Sequence, residues 1–103
     1  MAKLLEFTDK REGTPDVAFY CPGCKTNHGV WIEGSTKNPM NECTWTFNGD
    51  FDKPTFVPSI LVRWSHENKT NVCHSYVKGG MIQFLDDCTH DLKGQTVELP
   101  ELT

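Results

Sequence analysis

Tyr20-Cys21-Pro22-Gly23-Cys24-Lys25-Thr26-Asn27-His28 carries the strongest structural signal in the chain. It follows a short β-branched and aromatic run, Val17–Tyr20, and Pro22-Gly23 supplies a tight turn that lets both thiolates point at one ion. Thiolates and imidazoles in a tetrahedral array suit Zn2+. A redox pair of the thioredoxin kind needs a βαβ setting with the second cysteine entering a helix, and Lys25-Thr26-Asn27-His28-Gly29 is a poor helix former. The expected fold is therefore mainly β: a small antiparallel sheet with zinc-ribbon-like hairpins around one structural Zn2+ and at most one short helix. Residues 1–103 are expected to form a single zinc-binding β domain.

One such knuckle supplies two ligands, and a structural zinc wants four. The remaining candidates are Cys43, Cys73, Cys88, His28, His66, His74 and His90. Strand alternation separates the adjacent pair Cys73-His74. Across a Gly79-Gly80 turn, Cys73, Ser75 and Val77 share a face with Ile82 and Phe84, whereas His74, Tyr76 and Lys78 share the other with Met81, Gln83 and Leu85. Cys73 then points to the more apolar side and is the third expected ligand. His90 follows Asp86-Asp87-Cys88-Thr89, whose carboxylates can orient an imidazole, and ranks first for the fourth position. His28 or His74 come next and Cys88 is a fallback, while His66 sits in a polar loop and is read as solvated. The expected metal set is Cys21, Cys24, Cys73 and His90.

Outward from the knuckle the pattern reads as strands. No window of 11 or more residues shows a 3.6-residue apolar period, while short β-branched and aromatic runs recur between turn signals. Candidate strands are Leu4–Phe7, Val17–Tyr20, Gly29–Glu33, Thr44–Phe47, Ser59–Trp64, Cys73–Val77, Met81–Leu85 and Thr96–Leu99. Asn48-Gly49 and Gly79-Gly80 read as two-residue hairpin turns. Pro54 and Pro58 confine Thr55-Phe56-Val57 to an edge or extended piece, and a turn or two of helix is expected around Asp86–Lys93, stopped by Gly94.

Composition bounds the function classes. A chain of 103 residues holds one core, and a 37% hydrophobic fraction makes that core thin and in want of a staple. Ten Lys and Arg scattered against 14 Asp and Glu, net −4, disfavour a nucleic-acid binder. No run is long enough for a membrane span or a signal peptide, and five cysteines without an export signal point to a reducing cytoplasm.

Cys21-Pro-Gly-Cys24 with His28, then Trp45-Thr-Phe-Asn-Gly-Asp50, Lys53-Pro-Thr-Phe-Val-Pro-Ser59, Cys73-His-Ser-Tyr76, Ile82-Gln-Phe-Leu-Asp86 and Thr89-His-Asp-Leu-Lys-Gly-Gln-Thr-Val97 together resemble a family of small zinc-knuckle proteins of tailed phages and prophages. Some of its members are mislabelled ammonia monooxygenase, although this chain has neither a membrane span nor a copper cluster. The resemblance runs from about Phe19 to Pro100. It implies a viral origin, recurrent residues at Cys21, Cys24, Cys73, His74 and His90, and replaceable ones at Cys43 and Cys88.

No Gly-x-Ser-x-Gly elbow, phosphate loop or deaminase pattern marks a reaction, so no catalytic residue is assigned and an enzyme is the less favoured class. Trp45, Phe51 and Phe56 flank turns where an aromatic could anchor a partner. The expected function is a phage-encoded zinc-binding accessory protein of the host cytoplasm. It would act by protein–protein binding on a host or phage protein, a defence protein included. The alternative is a zinc-dependent hydrolase or other small-molecule enzyme, with Asp86, Asp87 or Glu67 as base.

Overall fold

The computed structural model describes residues 2–8, 11, 13–34 and 44–102. Among them the strands are β1 (Leu5–Glu6), β2 (Val17–Cys21), β3 (Thr26–Val30), β4 (Thr46–Phe47), β5 (Phe56–His66), β6 (Lys69–Lys78), β7 (Met81–Phe84) and β8 (Thr96–Glu98). They form two antiparallel meanders, β1-β2-β3 and β4-β5-β6-β7-β8. A parallel bridge between Ile32 and Trp45 joins the two. The expectation of a mainly β, ribbon-like fold is borne out.

Alternation builds the core. On β6, Cys73, Ser75 and Val77 are buried while Tyr76 and Lys78 are exposed, and on β7 Ile82 and Phe84 are buried between exposed Met81 and Gln83. These inward faces meet Val17, Phe19 and Val30 of the first sheet. Phe56 lies at the centre, its ring 6.5 Å from that of Phe19 and 5.1 Å from that of Phe47. Burying each such ring removes about 150–250 Å² from water. That is the main driving force available to so small a core.

The turns differ instructively from expectation. Gly79-Gly80 closes β6–β7 with φ of 56° and 82°, as a two-residue hairpin with positive φ at both centres requires. The β5–β6 ribbon closes in the same way at Glu67-Asn68, with φ of 51° and 64°, where the sequence suggested only a polar loop. Asn48-Gly49 does not close a two-residue hairpin. The last β4–β5 pair is Phe47↔Phe56, because the Asn48 side chain organises a longer loop: its Oδ1 accepts from the Asp50 and Thr55 amides and its Nδ2 donates to the Lys53 carbonyl.

β3 begins at Thr26, directly behind the knuckle. β5 begins at Phe56 and passes through Pro58. The pairs Phe56↔Val77 and Ile60↔Ser75 leave Val57, Pro58 and Ser59 opposite the single residue Tyr76, so the proline sits in a bulge, where its missing N–H breaks no ladder bond. No helix forms around Asp86–Lys93. Its backbone is engaged by β6 instead, with Leu85 N donating to His74 O (2.9 Å) and Thr89 N to Val72 O (2.9 Å). No helix among the described residues is long and apolar enough to cross a membrane.

Candidate functional site

The knuckle closes at the end of β2. Lys25, with φ of 60°, turns the chain into β3 and donates its amide to Cys21 O (2.8 Å), and the Cys24 amide donates to Cys21 Sγ (3.4 Å). Cys73 reaches the same point from β6 in the other sheet. Its Sγ is 3.8 Å from that of Cys21. His90 arrives from the segment after β7. One potential ligand atom each from Cys21, Cys24, Cys73 and His90 lie within 4.8 Å of one another, so this group could hold a metal ion and would then tie both sheets to the 85–95 segment.

Three features of the site fit an ion. Zn–S bonds of about 2.3 Å in a tetrahedron give sulfur–sulfur edges of about 3.8 Å, and the Cys21–Cys73 separation matches that edge while being far too long for a disulfide; both cysteines are free. His90 Nε2 is buried with no hydrogen-bond partner, an orphan that coordination would satisfy with the ring proton moved to Nδ1, which now accepts from the Leu92 amide (3.2 Å). The thiols also cannot all ionise unaided. The hydrogen bond from Cys73 holds the Cys21 thiol down at about 4. Burial, with the adjacent Cys21 charge, pushes Cys24 up to about 12, and Cys73 is raised by holding the shared proton and by burial. Three thiolates together need a cation.

Gly23 is required by shape. A Cβ there would stand 2.3 Å from His90 Cε1, and the imidazole cannot easily retreat because Phe84 packs edge-on against it at 4.5 Å. Of the other candidates, His28 is 7% exposed, packs against Phe19 and helps lower Cys21 without joining the four. His66 is exposed at the β5–β6 tip, and Cys43 lies outside the described residues.

His74 faces away from the metal group, as strand alternation requires, and enters a second constellation. Its Nε2 is 2.9 Å from Ser59 Oγ, and its Nδ1 is 3.0 Å from Asp87 Oδ2. Ser59 belongs to the β5 bulge, where Trp45 Nε1 holds its carbonyl at 3.2 Å. Asp87 is placed by its neighbour Cys88, whose sulfur accepts from His74 N and donates to His74 O, both at 3.2 Å. Cys88 is thereby occupied away from the metal group. The sequence reading missed Ser59. The available signal was Pro58-Ser59 beside a strand that pairs with Cys73-His74, but the bulge conceals the register.

No curated protein and no solved structure is significantly similar to the chain. A family model, the bacterial ubiquitination-like system serine protease BubE, matches residues 3–85. This overturns the expected function of a phage-encoded accessory protein acting by protein–protein binding, since the family is described by a bacterial system and a proteolytic activity; the hydrolase alternative fits it better, and phage provenance gains no support. The chain belongs to the BubE family of bacterial ubiquitination-like system serine proteases.

Proposed function

We propose that the chain is a serine peptidase with Ser59 as nucleophile, His74 as general base and Asp87 as the residue that orients the imidazole. The observation that carries this reading is the pair of hydrogen bonds from Ser59 Oγ through His74 to Asp87. Asp87 accepts a hydrogen bond from Nδ1–H, which leaves the Nε2 lone pair facing the serine hydroxyl. Ser59 Oγ attacks the scissile carbonyl carbon as its proton passes to His74 Nε2, and Asp87 stabilises the imidazolium. His74 then protonates the departing amine, the C–N bond breaks, and water repeats the sequence in reverse to release the acid and restore Ser59. The family description points the same way.

Cys21, Cys24, Cys73 and His90 would hold Zn2+ as a structural ion. Four protein donors close the coordination shell, whereas a catalytic zinc keeps a position for water. The two groups of residues stand back to back through β6, with Cys73 turned to Cys21, Cys24 and His90 and His74 turned to Ser59 and Asp87. An ion held there would fix the strand that presents the base, with the chemistry on the opposite face. The test is hydrolysis of an unfolded polypeptide by the wild type and by Ser59→Ala, His74→Ala and Asp87→Asn. Loss on the order of ten-thousand-fold in kcat is expected for each, with zinc content unchanged. Activity that survives Ser59→Ala overturns the assignment.

A further inference from the structure

Beyond Val57, β5 has a strand on one side alone among the described residues: β6 pairs with it as far as His66, but β4 ends at Thr46↔Val57. The outer side of β3 is in the same condition until Trp31, whose carbonyl accepts from Trp45 N (2.9 Å); Trp45 O accepts from Glu33 N (2.9 Å). Between these two edges runs a groove of about 350 Å³, lined by residues 27–29 of β3, 60–63 of β5, and Trp31 and Trp45.

The backbone polarity of both walls follows from the register. N–H and C=O of one strand residue point to the same side, and successive residues alternate. His74 and Val72 direct theirs toward Cys88, Leu85 and Thr89. Their β5 partners Leu61 and Arg63 are therefore in non-hydrogen-bonded pairs and turn their amides and carbonyls into the groove. On β3, Val30 O accepts from Asp16 N on the β2 side, so Gly29 and Asn27 turn theirs into the groove from the opposite wall. Trp45, one of the lining residues, bonds Trp31 and Glu33 with its backbone and the carbonyl of Ser59 with its indole. The groove is thus a slot bordered by backbone donors and acceptors on both sides, and Trp45 links it to Ser59.

We propose that this slot takes the substrate as an added β-strand, so that the substrate class is a polypeptide segment able to lie fully extended. Its backbone pairs with Leu61 and Arg63 on one side and with Asn27 and Gly29 on the other. Trp45 blocks the slot and turns the chain outward over Ser59. A helical or tightly folded segment is refused because it cannot satisfy both edges. This inference rests on the assignment of Ser59 as nucleophile.

Leu61→Pro and Arg63→Pro each remove one groove-facing N–H without breaking a β5–β6 bond. Hydrolysis of reduced, carboxymethylated α-lactalbumin is compared with that of p-nitrophenyl acetate, which is too small to use the slot. Each variant is expected to lose about tenfold in kcat/KM on the polypeptide, the worth of one backbone hydrogen bond, and to keep its ester rate. Independently of those variants, amide exchange in Ser59→Ala protein saturated with the same polypeptide is expected to slow at Asn27, Gly29, Leu61 and Arg63. A wild type that cleaves the ester at Ser59 while these four amides stay unprotected overturns the slot alone. A wild type in which Ser59 hydrolyses neither compound overturns the slot together with the reading beneath it.

Discussion

Replacing Cys88 by Ala separates the two sites. The thiol is 3% exposed and is joined to both backbone groups of His74. Its loss orphans the His74 N–H, whereas His74 O keeps the bond from Leu85 N. An unsatisfied buried amide costs about 1–3 kcal/mol, and the vacated sulfur volume adds about 1 kcal/mol. A total of about 2–4 kcal/mol corresponds to a fall in melting temperature of about 10–20 °C for a domain of this size. Asp87, next in the chain, loses its anchor, so acylation of Ser59 slows, while zinc stays at one per chain because Cys88 is outside the ligand group. Cys88→Ser keeps a donor and acceptor in place and is expected to recover most of the stability. Thermal melting by circular dichroism, metal analysis and the rate of serine acylation read the three effects. A Cys88→Ala protein that melts within about 3 °C of wild type, or that loses its metal, contradicts the role given to this thiol.

Gly23→Ala drives a methyl into the His90 ring and is expected to lower zinc occupancy and melting temperature together, measured by competition with a chromophoric chelator. Stripping the metal from wild type with phenanthroline is expected to abolish the cooperative melt, since structural zinc sites contribute on the order of 10 kcal/mol. A melt that is indifferent to the chelator contradicts the structural role. Glu98 is held below the usual carboxylate range by the hydrogen bond from buried Lys3 (2.6 Å). Its folded value lies under its ordinary 4.5, so its stabilisation is present above that pH and is lost as pH falls through the lowered value. The difference in melting temperature between wild type and Glu98→Gln is expected to shrink on acidification below pH 4.5.

The convergence of Cys21, Cys24 and Cys73 was legible because its evidence is local. The Cys21–Cys24 spacing puts two thiols on one turn, and the period of 2 through Cys73–Val77, fixed by Gly79-Gly80, sends Cys73 inward and His74 outward. In the sequence His90 ranks first because the Asp86-Asp87 carboxylates could orient it. It does lie with the three sulfurs, but for another reason, since Asp87 bonds His74 and the His90 ring is held by Phe84 and the Leu92 amide. The relay was not legible in this way. Ser59 meets His74 only because Val57, Pro58 and Ser59 are crowded opposite Tyr76, and no alternation rule fixes how many residues a bulge absorbs. Asp87 likewise depends on the Cys88 thiol continuing the β6 ladder, a tertiary contact that suppressed the helical turns expected at Asp86–Lys93. The Asn48-Gly49 signal was overridden by the Asn48 side chain, which bonds across a longer loop. The family departed furthest from expectation, and the contact proposed to carry its activity leaves no contiguous motif, since the hydroxyl, the imidazole and the carboxylate come from one strand, the next strand and a following turn.

Intact-mass analysis after treatment with a fluorophosphonate tests the relay most directly. A single adduct is expected that maps to Ser59 and is absent from Ser59→Ala. Adduct formation is expected to be much slower in His74→Ala even when zinc remains at one per chain. An unmodified wild-type protein, or an adduct on any other residue, contradicts the relay.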